Sequence, residues 1–561
     1  MKNWKKIVLP FVFAIVLAIG IIIGNYFAMR SNIGSTLGLF RSLGLDKSKI
    51  SETLSLINSR YVDSVSVNDL TDNTISDLME GLDPHSMYIP ARDIEATNEQ
   101  LQGSFGGIGV EFTIQRDTIL VVSVVGGGPA EKVGVIRGDR IVTVNDTLFV
   151  GRNLSNDKVM RKFRGPDGTE IKIGIKRSGK RGLMQYAIVR DEIPSKSITA
   201  AYMITPQIGF INVTKFGETT YSEFLTALAK LKHEGAEQFV IDLRGNRGGF
   251  MEAAIKMVNE FLPKNEMIVY AAGRSYPRKN FYADGRGSFQ NVKLVVLVDE
   301  LSASASEIFA GAIQDNDRGQ IIGRRTFGKG LVQQSFEFFD KSAVRLTVAR
   351  YYTPSGRCIQ KPYQRGKDAD YNNDLPNRYL HGEFSSKDSI KVEKGQQYRT
   401  RSGRIVYGGG GIMPDLFVPL ETDGDTPYLR RLMEHGTILQ FSVNYVEEHN
   451  DQLKKIINME ALERYLNAQS IANQVAAYAE NQGIDKHVYY FGLSRQLIND
   501  LAKAYIIRNL FGDDGYYYVI NKTDITVQKA IRALQGVQDK NLTMEKGLNA
   551  NGRWDFEQQI C

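Results

Sequence analysis

The sequence is poor in cysteine and in histidine. Two cysteines, Cys358 and Cys561, occur in 561 residues, which excludes a disulfide scaffold and any cysteine-rich zinc site. An oxidising compartment would allow the two to pair, and two free thiols are equally compatible with the sequence. Six scattered histidines, with no H-E-x-x-H among them, give no basis for a histidine metal centre, so neither a metal nor a cofactor is expected. Low-complexity tracts are also missing. Fifteen prolines, 42% hydrophobic and 24% charged residues describe an ordinary globular protein. At ~150 residues per domain the length suggests three or four folded units.

The net charge of +7 is unevenly placed. Residues 1–30 carry Lys2, Lys5, Lys6 and Arg30 with no acid, and residues 361–411 carry ten Lys or Arg against six Asp or Glu. The remainder is close to neutral, so no nucleic-acid surface is expected. Behind the first lysines, Ile7 to Gly24 run for eighteen residues without a charge. A helix of that length reaches roughly 27 Å, close to the ~30 Å hydrocarbon core of a bilayer, and the preceding lysines favour a cytoplasmic N-terminus. Tyr26-Phe27-Ala28 is a poor cleavage site, and no neighbouring cysteine offers a lipid attachment point. The expectation is an inner-membrane anchor with the rest of the chain in the periplasm, or export after signal cleavage.

Patterning then divides the chain. Residues 31–100 read as a helical region ending in the turn Gly81-Leu82-Asp83-Pro84-His85-Ser86, and 101–190 as short β-runs between glycine turns. From 191 to 425 strands alternate with helices, the signature of an α/β domain, interrupted by the polar insert 361–411, which is open to covering the cleft, meeting a partner or forming a mobile loop, the loop being the default. Residues 426–561 are mainly helical and carry no chemical motif; self-association or adaptor binding is open there.

Chemistry concentrates between Lys293 and Gln334. An apolar strand, LVVLV, delivers Ser302, Ser304 and Ser306 to the start of a helix, where free amides and the dipole could stabilise an oxyanion. The plainer reading is N-capping, with Ser304 and Glu307 forming a capping box. A serine nucleophile needs a base, and with no histidine nearby the candidate is Lys329, whose burial would favour the neutral amine, hemmed by Phe327 and Leu331. Gln333 could orient it only if the chain bends, since on a straight strand the two stand ~13 Å apart; Gly328 and Gly330 permit a bend. A competing motif, Gly323 to Lys329, begins a phosphate-binding loop but continues with Gly330 instead of Ser or Thr, and with a β-like run instead of a helix. In Asp242-Leu243-Arg244-Gly245-Asn246-Arg247-Gly248-Gly249 glycines allow backbone amides to converge on an anion, or simply form a strand-to-helix turn.

The run SASASEIFAGAIQDNDRGQIIGRRTFGKGLVQQ resembles the core of the carboxyl-terminal processing peptidases, serine endopeptidases with a Ser-Lys-Gln arrangement. LDPHS at 82–86, GGIGVEF, GGGPAEKVGVIRGDRIVTVN, DLRGNRGG at 242–249 and LTVARYYTPSGRCIQ at 346–360 extend the resemblance over residues 45 to 420. It implies an α/β protease core with a crotonase-like ββα arrangement and an inserted PDZ domain. It also implies Ser304 as nucleophile, Lys329 as general base, Gln333 as its holder, and the amides of Gly249 and Ala305 as oxyanion hole. The β-module resembles a PDZ domain, which adds a peptide strand to a sheet edge and captures its carboxylate, here on Gly107, Ile108 and Gly109. Two departures stand out: Arg247 replaces a small residue or proline frequent in relatives, and the insert separates Tyr352–Arg357 from Gly411–Asp415. Together these readings predict a membrane-anchored periplasmic endopeptidase, without cofactor, that recognises polypeptide C-termini and processes or degrades exported proteins. The alternative is a catalytically silent PDZ scaffold at the membrane surface.

Overall fold

The computed structural model describes residues 47–99, 103–115, 117–177, 179–366, 371–390 and 397–537. The apolar segment Ile7–Gly24 and Cys561 lie outside these residues. Among the described residues no helix is long and apolar enough to cross a membrane. The chain divides between Leu78 and Met79. Ahead of that point are α1 (Lys47–Arg60) and most of α2 (Val67–Glu80). The Ser66 hydroxyl caps α2 by accepting the Asp69 N–H at 3.2 Å.

In the second unit the turn after α2 leads into β1 (Met87–Ile89) and α3 (Ala91–Glu99). The region 31–100 is therefore not wholly helical. Tyr88 and Ile89 are buried because β1 adds an edge to a sheet built from residues far along the chain, a pairing that local periodicity does not encode.

Residues 104–194 form a β-rich body of β2 (Ser104–Gly107), β3 (Val110–Gln115), β4 (Thr118–Val124), α4 (Pro129–Lys132), β5 (Arg140–Val144), β6 (Thr147–Leu148), α5 (Asn156–Phe163), β7 (Glu170–Lys176), β8 (Met184–Val189) and β9 (Asp191–Pro194). Alternation drives it: Ile171, Ile173 and Ile175 point into the core while Lys172 faces water. The sheet runs β3-β4-β5-β7-β8, so β3 forms one edge.

The α/β core follows, with β10 (Ile198–Thr205), β11 (Ile208–Val213), α6 (Thr220–His233), β12 (Gln238–Asp242), α7 (Met251–Asn259), β13 (Met267–Ala272), β14 (Lys279–Tyr282), β15 (Lys293–Val298), α8 (Ala305–Asp315), β16 (Gln320–Gly323), β17 (Leu331–Glu337) and β18 (Ala343–Tyr352). Beyond it lie α9 (Asp374–Leu380), β19 (Gln397–Arg399), β20 (Ile405–Tyr407) and β21 (Leu416–Phe417). One sheet has the order β10-β11-β12-β15-β16-β21, parallel from β11 onward. Every residue of β11 is buried, as a parallel strand covered on both faces requires. Phe224, Leu228, Met257, Ile308 and Phe309, on α6, α7 and α8, cover one face. The second sheet is β1-β18-β13-β14, with β17 also on β18.

The helical region comprises α10 (Pro427–Glu434), α11 (Thr437–Glu448), α12 (Asn450–Leu453), α13 (Met459–Asn467), α14 (Ile471–Glu480), α15 (Val488–Ile520) and α16 (Ile525–Leu534). Val527, Ala530 and Leu534 of α16 pack on Phe210, Val240 and Leu297, closing the other face of the parallel sheet. Arg508 of α15 pairs with Glu111 of β3 at 3.1 Å, and Asp524, the N-cap of α16, takes Arg244 at 2.7 Å.

The described parts of the insert 361–411 are docked, which corrects the expectation of a mobile loop. Arg325 of the core grips Glu383 with two hydrogen bonds of 2.7 and 2.6 Å, and buried Arg378 caps the carbonyls of Arg325 and Thr326. The basic charge that stood out in the sequence faces core acids: Arg404 pairs with Asp317 and Asp415 at 2.7 Å each.

Beneath the insert Arg357 and Asp315 form a fully buried pair at 2.7 Å, and the guanidinium also donates to the Tyr407 carbonyl and to Gln314 Oε1. Removing one partner strands a buried charge. Asp315→Ala should lower stability by about 3–5 kcal/mol, read as a lower urea midpoint of the core transition.

Candidate active site

The strand β15 ends at Asp299, and the turn to α8 is fixed by buried polar groups. Ser302 Oγ donates to the Leu243 carbonyl at 2.8 Å and Ser306 Oγ to the Asn246 carbonyl at 2.8 Å. Both serines are fully buried, so their hydroxyls are committed to structure. Between them Ser304 stands at the N-cap of α8 with φ 55° and ψ −113°, a conformation that costs a non-glycine residue ~1–3 kcal/mol. Its side chain opens into a cleft of about 970 Å³, also lined by Gly249, Gln333 and Arg345.

The strained turn is held by Glu307. This carboxylate is fully buried and accepts four hydrogen bonds: Ser304 N–H at 2.9 Å and Lys329 N–H at 2.8 Å on Oε2, Gly328 N–H at 2.7 Å and Thr326 Oγ1–H at 2.5 Å on Oε1. The sequence suggested a capping box, and the half in which Glu307 reaches back to the N-cap is made. The same carboxylate also anchors the loop that bears Lys329. From the other side the Tyr351 hydroxyl reaches the carbonyls of both Ser304, at 2.9 Å, and Lys329. The peptide groups of Ser304 and Lys329 are thus pinned side by side.

These contacts exclude the phosphate-loop reading. The amides of Gly328 and Lys329 are used by Glu307, and the segment that follows is the strand β17 instead of a helix. Gly328 takes φ 90°, and the pairing of β17 with β18 shifts register between Val332 and Gln333. Burial and the nearby Arg345 guanidinium hold the Lys329 amine below its usual value, against the pull of Glu307 and Asp83. Phe327, expected to hem Lys329, lies under the Lys361 ammonium at 4.0 Å. Among the described residues no hydrogen bond joins Lys329 Nζ to Ser304 Oγ or to Gln333; what the structure brings together is the backbones of Ser304 and Lys329.

Opposite the serine turn, Asn246 ties the 242–249 loop down. Its amide donates to the Val213 carbonyl at 2.8 Å, and its side-chain oxygen accepts Gly248 N–H at 2.8 Å. A Cβ on Gly248 would lie 2.8 Å from Ser304 Cβ, and one on Gly249 would lie 2.1 Å from the Phe216 carbonyl oxygen, so neither position accepts a side chain. Among the described residues the amides of Gly249 and Ala305 donate to no acceptor. Arg247 is exposed and leaves this arrangement undisturbed.

Sequence reasoning did not assign Asp83, His85, Thr347 or Tyr351. Asp83 is buried and accepts from Ser86 Oγ at 2.6 Å and Thr347 Oγ1 at 3.0 Å. His85 hydrogen-bonds Tyr371 through Nε2 at 2.8 Å. Burial and the charge of Lys329 push it down to about 4, so it is neutral at physiological pH. The only available signal was the LDPHS string itself, whose partners lie far along the chain.

Residues 207–372 match the model of peptidase family S41 and residues 106–185 that of a PDZ domain, while residues 428–512 match a family of unknown function, DUF8443. The carboxy-terminal-processing protease of Bartonella bacilliformis is 37% identical over 309 residues, covering 54% of this chain and 70% of that protein. The chain belongs to the carboxy-terminal processing proteases of peptidase family S41. It is a serine-type peptidase with a PDZ domain. The carboxy-terminal processing protease CtpA of Bacillus subtilis is 35% identical over 314 residues, 56% of this chain and 66% of that protein. Among solved structures the photosystem II D1 C-terminal processing protease shares 25% identity, with a TM-score of 0.35, over 66% of this chain and 88% of that one.

In this S41 peptidase the PDZ residues singled out from sequence surround the turn between β2 and β3. Gly107 closes β2, the Ile108 carbonyl accepts from Ala130 N–H at 2.9 Å, and Gly109 adopts φ 74°. Among the described residues the amides of Ile108 and Gly109 have no acceptor.

Burial pushes Glu307 up to about 7 against the pull of its four donors. The folded protein therefore binds this proton more tightly than the unfolded chain, whose value is near 4.5. The stabilisation from it is complete below the unfolded value and is lost as pH rises through the folded one. Urea unfolding from about pH 5 to about pH 8 should show a loss on the order of 3 kcal/mol from this group. Glu307→Gln, uncharged at every pH, should show no such loss from this position.

Proposed function

We propose that this protein cleaves peptide bonds by a Ser304–Lys329 acyl-enzyme mechanism, in the periplasm, on polypeptides held by their C-termini. The observation that carries the reading is the strained Ser304 turn, with its hydroxyl in the cleft, two free amides around it and the buried Lys329 loop on the same carboxylate. Neutral Lys329 Nζ takes the Oγ proton as Oγ attacks the peptide carbonyl. The oxyanion is received by the amides of Gly249 and Ala305, which need no reorganisation to donate. The lysine then gives its proton to the departing amine, and the ester is hydrolysed by water deprotonated at the same nitrogen. Catalytic hydrogen bonds tighten when substrate fills a site, so the reaction requires Lys329 Nζ to come within hydrogen-bond reach of Oγ.

Gln333, in the same cleft, would accept from the lysine and orient it. Peptide would reach the PDZ domain along the open edge of β3, its carboxylate on the free amides of Ile108 and Gly109. The parallel β-α layers suit the crotonase-like ββα arrangement. Ile7–Gly24 and its leading lysines support attachment to the inner membrane, with the catalytic part outside and exported proteins as substrates.

Ser304→Ala and Lys329→Ala should each abolish cleavage of an unfolded protein such as casein, with circular dichroism unchanged. Normal turnover by Lys329→Ala would remove the mechanism, and wild-type protein that yields no Ser304-dependent fragments would favour the silent scaffold. A second measurement addresses the PDZ role: amidating the C-terminus of a substrate peptide should raise KM about tenfold, or ~1.4 kcal/mol, with kcat little changed. Equal KM values for acid and amide would rule out carboxylate capture.

A further inference from the structure

We infer that Asp83 and Thr347 are positioning residues for the reaction: they fix which way the Gln333 amide faces, and through it the Lys329 side chain. The inference rests on the proposed role of Lys329 as base.

The relay begins in the turn ahead of β1. Asp83 is buried, and its carboxylate gathers the His85 and Ser86 amides at 3.0 Å each and the Ser86 hydroxyl at 2.6 Å. Pairing of β1 with β18, Met87 opposite Arg345, brings this turn beside Thr347. There Ser86 Oγ accepts the Thr347 N–H at 3.1 Å, and Asp83 Oδ1 accepts Thr347 Oγ1–H at 3.0 Å. Thr347 in turn faces Gln333 across the β17–β18 register, with Gln333 Nε2 at 3.5 Å from its hydroxyl.

Proton counting sets the polarity. An ionised carboxylate only accepts and a hydroxyl has one proton, so Thr347 spends its proton on Asp83 and offers only lone pairs to Gln333. The amide must therefore turn its NH2 toward Thr347, leaving Oε1 free. Among the described residues that oxygen has no other partner, and Gln333 lines the cleft that holds Ser304. A carbonyl oxygen is the group needed to hold a lysine that gains a proton during the reaction; a flipped amide would present N–H to it. Lys329 is also faced by Glu307 from α8, Arg345 from β18 and neutral His85 from the turn, so Asp83 is one of two negative charges that favour the ammonium form. The turn at 82–86 is thereby part of the active site.

The test uses the full-length protein with labelled casein, comparing Thr347→Val, Thr347→Ser, Asp83→Asn and Lys329→Ala. Thr347→Val should lower kcat at least tenfold with KM within twofold, and should move the acidic limb of the kcat/KM profile to lower pH, because the freed amide no longer holds the ammonium. Thr347→Ser, which keeps the hydroxyl, should recover most of the rate, and Asp83→Asn should shift the limb in the same direction as Thr347→Val. A Thr347→Val protein with wild-type kcat and an unmoved limb overturns the relay, as does a Thr347→Ser protein as impaired as Thr347→Val. If Lys329→Ala itself retains turnover, the lysine-base reading fails and the relay with it; an inactive Lys329→Ala beside a fully active Thr347→Val removes the relay alone.

Discussion

The carboxylate of Glu307 joins two stretches of chain at the centre of the site: the turn that strains Ser304 and the loop that carries Lys329. Four donors converge on it in a fully buried setting. A buried polar group left without partners costs ~1–3 kcal/mol or more, so each donor that strays is penalised. The backbone of the site is therefore narrow in its allowed geometry. Tyr351 closes the arrangement from the carbonyl side. The strain at Ser304 persists because the surroundings over-determine it, as backbone outliers at functional sites generally require.

Around this centre the layers have separable tasks. The parallel sheet ends its neighbouring strands β12 and β15 at two loops that pack against each other at the cleft, one bearing Gly249 and the other Ser304. The antiparallel sheet supplies Gln333 and Arg345 to the cleft, with Thr347 paired to Gln333 on the neighbouring strand. The insert then locks the loop between β16 and β17 from outside through Arg325, Glu383 and Arg378. The helical domain touches both partners of the reading proposed above, the PDZ edge through Glu111 and the Gly249 loop through Arg244.

What could be read from the sequence was whatever depends on neighbours along the chain. Apolar runs such as LVVLV, alternating with helical stretches, announced an α/β domain, and the Ser304 junction and the glycines of 242–249 announced backbone shapes. The roles of Glu307 and Asp83 were not legible, because a carboxylate that caps a helix and one that clamps a distant loop look alike in sequence. Nor was the order in the insert: its charges suggested a solvated loop, whereas Arg404 and Arg378 meet partners on core segments that only tertiary folding brings near. The strand β1 was hidden for the same reason, since three residues in a polar stretch carry no detectable period.

The pairing of β1 with β18 has a consequence for biogenesis. A chain is synthesised from its N-terminus, so Asp83 emerges long before Thr347, and the intervening residues must all be present before Met87 can meet Arg345. Closing so long a loop is entropically costly until the core that spans it has formed. A half-made chain accordingly carries the turn without its strand. The wall of the cleft that β18 forms is completed only when the core has been made.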